Sequence, residues 1–298
     1  MQPSIECAEC SVKVFLRVLE NTDVSDELKM KALTKTMQAL AVRMSQSVPP
    51  VEFANEMFSI LRNVTQVDDP FRSIKKKSNE AALSLLPKAT MLMKEKNGID
   101  GLRLASLLSI AGNVIDVSTG NHSFSLSDLW SEIEKTVAAG LDIDDSPSFM
   151  TLVRKEASVF FLGDNAGEIV LDIPLIRFLR KEGVKVNYVV RGGAIANDAT
   201  IEDAIQVDLG KEVDNLGSTG QRAFGIRLDA LPKATMRLYN DSDLLLSKGQ
   251  SNYEALNWSE TKKPIYFLLK VKCIPIGRTL GLAIGSNAFL RKKEQTDA

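Results

Sequence analysis

The sequence predicts an α/β protein that combines an all-α N-terminal domain with a three-layer α/β/α, Rossmann-like domain. Apolar residues recur at helical spacing from Ser11 to about Gly140. From Ser158 onward, short apolar runs rich in β-branched and aromatic residues alternate with helical stretches. Such an alternation favours a mostly parallel or mixed sheet covered by helices on both faces. The acidic, proline-containing segment from Leu141 to Lys155 is the natural linker, which predicts a helical domain over 1–150 and a Rossmann-like domain over 151–298.

The N-terminal helices are predicted from their apolar faces. Three of these faces are Val12, Phe15, Leu16 and Leu19; Leu33, Met37, Leu40 and Met44; and Phe53, Met57, Ile60, Leu61 and Val64. A further helix carries Leu85 and Leu92 and contains Pro87, which we expect to kink it. Two more follow, one over 102–115 and one that ends at Gly140.

The strands of the second half are predicted from apolar runs that end in Gly, Asn or Asp. They are placed at 158–162, 185–190, 212–215, 243–247 and 264–269, with another near Phe289.

Composition excludes several classes of partner. The chain has 298 residues, with 37 basic against 38 acidic side chains, so it carries no net field that would gather nucleic acid or an anionic membrane. No apolar stretch is long enough to span a bilayer, and we expect a soluble, cytoplasmic protein. Because His122 is the single histidine, a metal site must be built mainly from oxygen ligands.

Polar side chains follow the predicted strands at the sheet edge where open α/β sheets bind ligands. Asp164 and Asn165 come directly after the first strand, and Asp198 lies shortly after the second. Carboxylate and carboxamide oxygens are ligands for hard cations, so these three residues are candidate metal ligands. The alternative interpretation is that each caps the helix that follows.

Other strand ends supply candidates for binding phosphate. Lys248 directly follows the fourth strand and precedes a glycine, which places its charge where it neutralises phosphate. Ser218 lies in a small-residue turn after the third strand that is suited to cradling a phosphate, although this signal is unspecific on its own. We also take Arg191 and Asn252 as substrate-binding candidates.

Four motifs in this order resemble the damage-control phosphatases, long catalogued as domain of unknown function eighty-nine. They are Ala111-Gly-Asn-Val-Ile-Asp116, Gly163-Asp-Asn-Ala-Gly-Glu-Ile-Val-Leu-Asp172, Gly192-Gly-x-x-x-Asn-Asp-Ala-Thr200 and Lys248-Gly-Gln-x-Asn-Tyr-Glu254. The chain looks closest to the compact archaeal and bacterial branch, which also carries a Cys-x-x-Cys near the N-terminus, as Cys7 and Cys10 do here.

The resemblance implies a metal-dependent phosphatase that acts on small phosphorylated metabolites, such as sugar phosphates or damaged phosphometabolites. Asp164, Asn165 and Asp198 would hold a divalent ion, with cobalt, nickel, manganese and magnesium all reasonable, and Lys248 would bind the phosphate. Asp164 would act either as nucleophile or only as ligand. Asn113 and Asp116 share a helical face and would contact substrate, or else hydrogen-bond within their own helix end.

Other functions remain open from the sequence. A Rossmann-like sheet also fits an enzyme that binds S-adenosylmethionine or a nucleotide, although the first turn lacks Gly-x-Gly-x-x-Gly. A non-catalytic protein that binds a metal or metabolite would keep the same ligands. Cys7 and Cys10 make half a zinc site, which Cys273 and His122 would have to complete; buried free thiols or a role near the active site are the alternatives.

Overall fold

The computed structural model describes residues 3–115, 126–153 and 157–293. Its N-terminal helices are α1 (Ile5–Glu20), α2 (Asp26–Ser45), α3 (Pro50–Thr65), α4 (Arg72–Leu92), α5 (Gly98–Ala111), α6 (Leu126–Ala139) and α7 (Ser146–Leu152). The strands are β1 (Ile143–Asp144), β2 (Ser158–Leu162), β3 (Lys185–Val190), β4 (Asn215–Ser218), β5 (Leu244–Lys248), β6 (Ile265–Lys270) and β7 (Asn287–Arg291). Between them run α8 (Glu168–Leu171), α9 (Ile173–Lys181), α10 (Ile201–Gln206), α11 (Lys233–Asn240), α12 (Gln250–Leu256) and α13 (Ile274–Leu280).

Local sequence explains where several helices begin and end. The Ser25 hydroxyl accepts the backbone N–H of Leu28 and caps α2, and Pro50 occupies the first turn of α3, where its missing N–H costs nothing. Helix α6 ends just before Gly140, which has a φ of +75°. Pro87 lies inside α4, which continues on both sides of it.

The sheet has the order β1-β7-β6-β5-β2-β3-β4. All pairs are parallel except β6 with β7, so the predicted mostly parallel sheet is confirmed. Strands β2 and β3 have the predicted bounds, whereas β4 begins at Asn215 because Val213, buried in the core, belongs to the turn before it. The two-residue strand β1 was not predicted, since it is too short to show a period.

Alternate residues of β2, β3, β5, β6 and β7 enter two different cores, which makes the three layers. One core lies under α4, α5, α8 and α9 and receives Phe161, Tyr188 and Leu246. The other lies under α11 to α13 and receives Phe160, Val189 and Leu245. This pattern follows from the period of two in a strand.

The helices of the first half divide between two cores. Residues of α1, α2 and α3 form a cluster of their own around Phe15, Met57 and Leu61. Residues of α4, α5 and α6 instead share a core with the sheet. The predicted boundary at residue 150 stays a prediction, and the packing is continuous across it. No helix in the described part of the chain is both long and apolar enough to cross a membrane.

Candidate functional site

The three predicted metal ligands lie together at the carboxyl ends of β2 and β3. Backbone hydrogen bonds join the loops that carry them, from Ala166 N to Asn197 O (2.9 Å) and from Ala199 N to Asp164 O (2.8 Å). Asn165 and Asp198 also form an isolated antiparallel bridge. The loops after two adjacent strands are thereby locked to each other, which fixes the spacing of Asp164, Asn165 and Asp198.

The loop after β2 is also held from the helical half of the chain. The side chain of Asn79 on α4 accepts the backbone N–H of Gly167 at 2.6 Å and donates to Asp203 Oδ1 at 3.2 Å. Buried Lys75 pairs with Asp69 at 2.9 Å and with Asp203 at 3.1 Å. Gly167 has a φ of +79°, a conformation that favours glycine. The shape of the turn is therefore set by tertiary contacts as well as by its own sequence.

Asp164, Glu168 and Asp198 each accept a hydrogen bond from a neighbouring side chain. Asn165 Nδ2 donates to Asp164 Oδ2 at 3.1 Å and to Glu168 Oε2 at 2.9 Å. Arg191 Nε donates to Asp198 Oδ2 at 2.6 Å, and its Nη1 donates to Gly225 O at 2.8 Å. The Nη2 of this arginine is buried without a partner in the described residues. Arg191 thus lies behind Asp198 and orients it.

Lys248 ends β5 and lies beneath the site. Its Nζ contacts three acceptors, which are Ser109 O at 2.8 Å, Asp172 Oδ1 at 2.7 Å and Glu168 Oε1 at 2.7 Å. Asp172 also accepts from Ser109 Oγ at 2.6 Å and from Tyr188 OH at 2.5 Å. These contacts use the three donors of the ammonium group, so contact with phosphate, which stays a prediction, requires Lys248 to exchange one partner.

Burial and charge act in opposite directions on Lys248. Burial disfavours the ammonium, but the negative charges of Asp172 and Glu168 outweigh burial and raise the pKa of Lys248. The lysine is therefore charged at neutral pH.

The three candidate metal ligands border a cavity of about 190 Å³. It is lined by Asp164, Asn165, Glu168, Asp198, Asn113 and Lys272, among others. Burial, followed by the charges of Asp198 and Glu168, raises the pKa of Asp164 well above its usual value. The carboxyl groups of this cavity therefore disfavour one another's ionisation, and Lys270 and Lys272 line the same cavity.

Of the other described residues that were predicted to contact substrate, only Asn113 lines the cavity. Asn113 lines the cavity and donates to Glu168 Oε2 at 3.0 Å. Ser218 Oγ accepts the N–H of Gly220 at 3.1 Å, within its own turn. Asn252 is buried, and its Nδ2 donates to Lys248 O at 2.9 Å. Asp116 lies outside the described residues, as does His122.

Sequence reasoning did not assign roles to Glu168, Asp172 or Lys272. Glu168 and Asp172 lie four residues apart within the quoted Gly163–Asp172 motif, and that spacing places them on one helical face. The spacing of these two residues could therefore have indicated that they face the same part of the site. Lys272 is exposed after β6 and gave no signal, because only the fold brings it to the cavity.

The three cysteines converge on a second, adjoining cavity. Cys7, Cys10 and Cys273 all line it, and all three are free thiols. In the ranges that the structure describes, no group of three His, Cys, Asp or Glu side chains is arranged to hold a metal ion. The zinc interpretation of Cys7 and Cys10 gains no support from the described residues.

Comparison with known proteins gives consistent matches over nearly the whole chain. Residues 4–287 match the model of the damage-control phosphatase ARMT1-like domain. A damage-control phosphatase of Archaeoglobus fulgidus is 32% identical over 286 residues, covering 96% of this chain and 97% of its own length. Another, from Pyrococcus horikoshii, is 32% identical over 294 residues, with 98% and 99% covered. The crystal structure of a family protein from Pyrococcus horikoshii superposes with a TM-score of 0.86 at 31% identity, covering 98% of this chain and all of that one.

Proposed function

The chain belongs to the damage-control phosphatase ARMT1-like family, and from this premise we propose that it is a metal-dependent phosphatase that hydrolyses small phosphorylated metabolites. The substrates in view are sugar phosphates or damaged phosphometabolites. The main support for a metal requirement is the charge of the site. Its buried carboxylates outnumber its buried cations.

The donor set fits a hard divalent cation. Asp164, Asp198, Glu168 and Asp172 are each at least nine-tenths buried, and the only buried cations that contact them in the described residues are Arg191 and Lys248. When all four are ionised, they exceed the two cations by two negative charges, and burial together with this excess raises the pKa of Asp164. Uncompensated buried charge is costly, and a divalent ion offsets this excess. Two carboxylates and a carboxamide are also the oxygen donors that magnesium and manganese prefer, and cobalt or nickel suit them as well.

The chain's own residues have distinct roles in this proposal. Asp164, Asn165 and Asp198 would bind the cation, and Arg191 orients Asp198 toward it. A divalent ion, when bound, neutralises negative charge on the phosphoryl oxygens. Lys248 holds Glu168 at the cavity wall, and it also remains the candidate cation for the phosphate.

The test is hydrolysis of p-nitrophenyl phosphate by protein stripped with a chelator, with cobalt, nickel, manganese or magnesium then added back. We expect at least one metal to restore turnover. Asp164→Asn should reduce kcat by about a hundredfold or more and weaken metal binding measured by calorimetry, since it removes a charged ligand. Asp23→Asn is the matched control, because Asp23 is exposed and does not line the cavity.

Other results would point to other functions. Full activity of Asp164→Asn would refute the assignment of that ligand. Metal binding without hydrolysis of any phosphoester would favour a binding protein. Tight binding of S-adenosylmethionine, measured by the same calorimetry, would favour the methyl-donor alternative.

A further inference from the structure

A second cavity of about 350 Å³ adjoins the catalytic one. We call it the apolar cavity. Asn197, Phe224 and Ser251 line both cavities, so the two spaces meet at these three residues. The apolar cavity falls within the ~300–1,000 Å³ of small-molecule sites, whereas the catalytic cavity, at about 190 Å³, is smaller than that range.

The two cavities differ sharply in chemistry. The catalytic cavity presents carboxylates and amides, as described above. The apolar cavity is walled mostly by hydrocarbon side chains from the helical half, namely Val14, Val18, Val51, Ala54, Met57 and Phe71. Glu6, Arg17 and Glu254 also line it, so hydrocarbon forms the larger part of the wall and not all of it. A ligand that fills both must therefore carry an ionic group at one end and an apolar group at the other.

The junction between the cavities is fixed before any ligand arrives. The side chain of Asn55 on α3 accepts the backbone N–H of Phe224 at 2.6 Å and donates to its carbonyl oxygen at 3.2 Å. The Phe224 ring packs edge-on against Phe58 with centroids 5.3 Å apart. A wall held in place in this way costs little ordering on binding.

We propose that the apolar cavity binds the alcohol part of the substrate, and that the preferred substrates are phosphomonoesters of apolar alcohols rather than of free sugars. This inference rests on the proposed phosphatase function and narrows its substrate class. In the reaction, water adds to phosphorus, the bond between phosphorus and the ester oxygen breaks, and the alcohol leaves with a proton. A sugar would instead present most of its hydroxyl groups to a wall that is largely hydrocarbon, where they lose hydrogen bonds to water.

The first test uses n-alkyl phosphates of increasing length, from methyl to hexyl, with the metal that supports turnover. We expect kcat/KM to rise about fourfold for each methylene group that enters the cavity. A series in which hexyl phosphate is no better than methyl phosphate would overturn the inference while leaving the phosphatase function standing. Absence of hydrolysis for every ester and metal would instead contradict the phosphatase function.

Filling the cavity should remove the dependence on chain length. Ala54→Phe places a ring in the apolar cavity, and we expect it to lower the ratio of kcat/KM for hexyl over methyl phosphate by about tenfold or more. Asn63→Phe is the matched control, because Asn63 is exposed on the same helix and does not line the cavity. Val14→Phe repeats the test from α1 if Ala54→Phe does not fold. An unchanged ratio in a folded variant would overturn the inference.

The cysteines give a readout that needs no turnover. Cys7, Cys10 and Cys273 line the apolar cavity, so an occupant should slow their alkylation by N-ethylmaleimide, followed by mass spectrometry. The probe is hexyl phosphonate, whose carbon–phosphorus bond is not hydrolysed as an ester, with methyl phosphonate as the control. We expect protection by the hexyl compound in the wild-type protein and its loss in Ala54→Phe. Equal protection by both compounds, or by neither, would overturn the inference.

Discussion

The burial of Glu254 predicts how the stability of the protein changes with pH, and by how much. This residue on α12 lines the apolar cavity, and burial raises its pKa from the ordinary 4.5 to about 7. The folded protein keeps the proton up to about pH 7, whereas the unfolded chain releases it near pH 4.5. Between these values the folded state binds more protons, so stability falls as pH rises. At about 1.4 kcal/mol for each pH unit, the full loss is about 3 kcal/mol.

Glu254→Gln should therefore remove the loss of stability that Glu254 causes as the pH rises. We expect the free energy of unfolding of Glu254→Gln, relative to the wild-type protein, to increase by about 2 kcal/mol from pH 5 to pH 8. Urea unfolding followed by circular dichroism at several pH values measures this difference. Glu260→Gln is the control, since Glu260 is exposed on the segment that follows the same helix. A difference that stays constant with pH would refute the reasoning.

Three further substitutions test the site and its support. Lys248→Met removes the buried cation that pairs with Glu168 and Asp172 and should lower the free energy of unfolding by about 3–5 kcal/mol in urea titrations; unchanged stability would contradict these ion pairs. Gly249→Ala should abolish turnover in a folded protein, because its Cβ would lie 2.1 Å from Asp164 Oδ2 at a φ of +80°; normal kcat would contradict this geometry. Asn79→Ala frees the Gly167 amide and should cost about 1–3 kcal/mol of stability and reduce kcat; unaltered kcat would mean that the turn holds its shape without α4.

The sequence was most informative where structure depends on local pattern. Strands β2 and β3 were placed to the residue, because each is a branched and aromatic run buried on both faces and bounded by clear turn residues. The neighbourhood of Asp164, Asn165 and Asp198 was also predictable. Parallel strands bring their carboxyl ends to one edge, so residues that follow adjacent strands must lie near each other.

The sequence was least informative where contacts join distant parts of the chain. The partners of Lys248 include Ser109, which lies 139 residues away, and no periodic pattern relates the two. The helical half looked like a separate unit because its own period is uniform from Ser11 to about Gly140. Yet α4 to α6 pack on the sheet, while α1 to α3 form a cluster of their own. Helical periodicity identifies a buried face but not the element that covers it.

This division of the helices gives the N-terminal half two tasks at the site. Helices α4 and α5 supply the groups that fix the acidic side, since Asn79 holds the turn at Gly167 and Ser109 anchors Lys248 and Asp172. Helices α1 and α3 supply most of the hydrocarbon wall of the apolar cavity. A change in α4 or α5 should therefore affect catalysis for every substrate alike, because it disturbs the carboxylates that all substrates meet. A change in α1 or α3 should affect substrates in proportion to the apolar surface that they bury, and the comparison of Asn79→Ala with Ala54→Phe on the same alkyl phosphates separates the two effects.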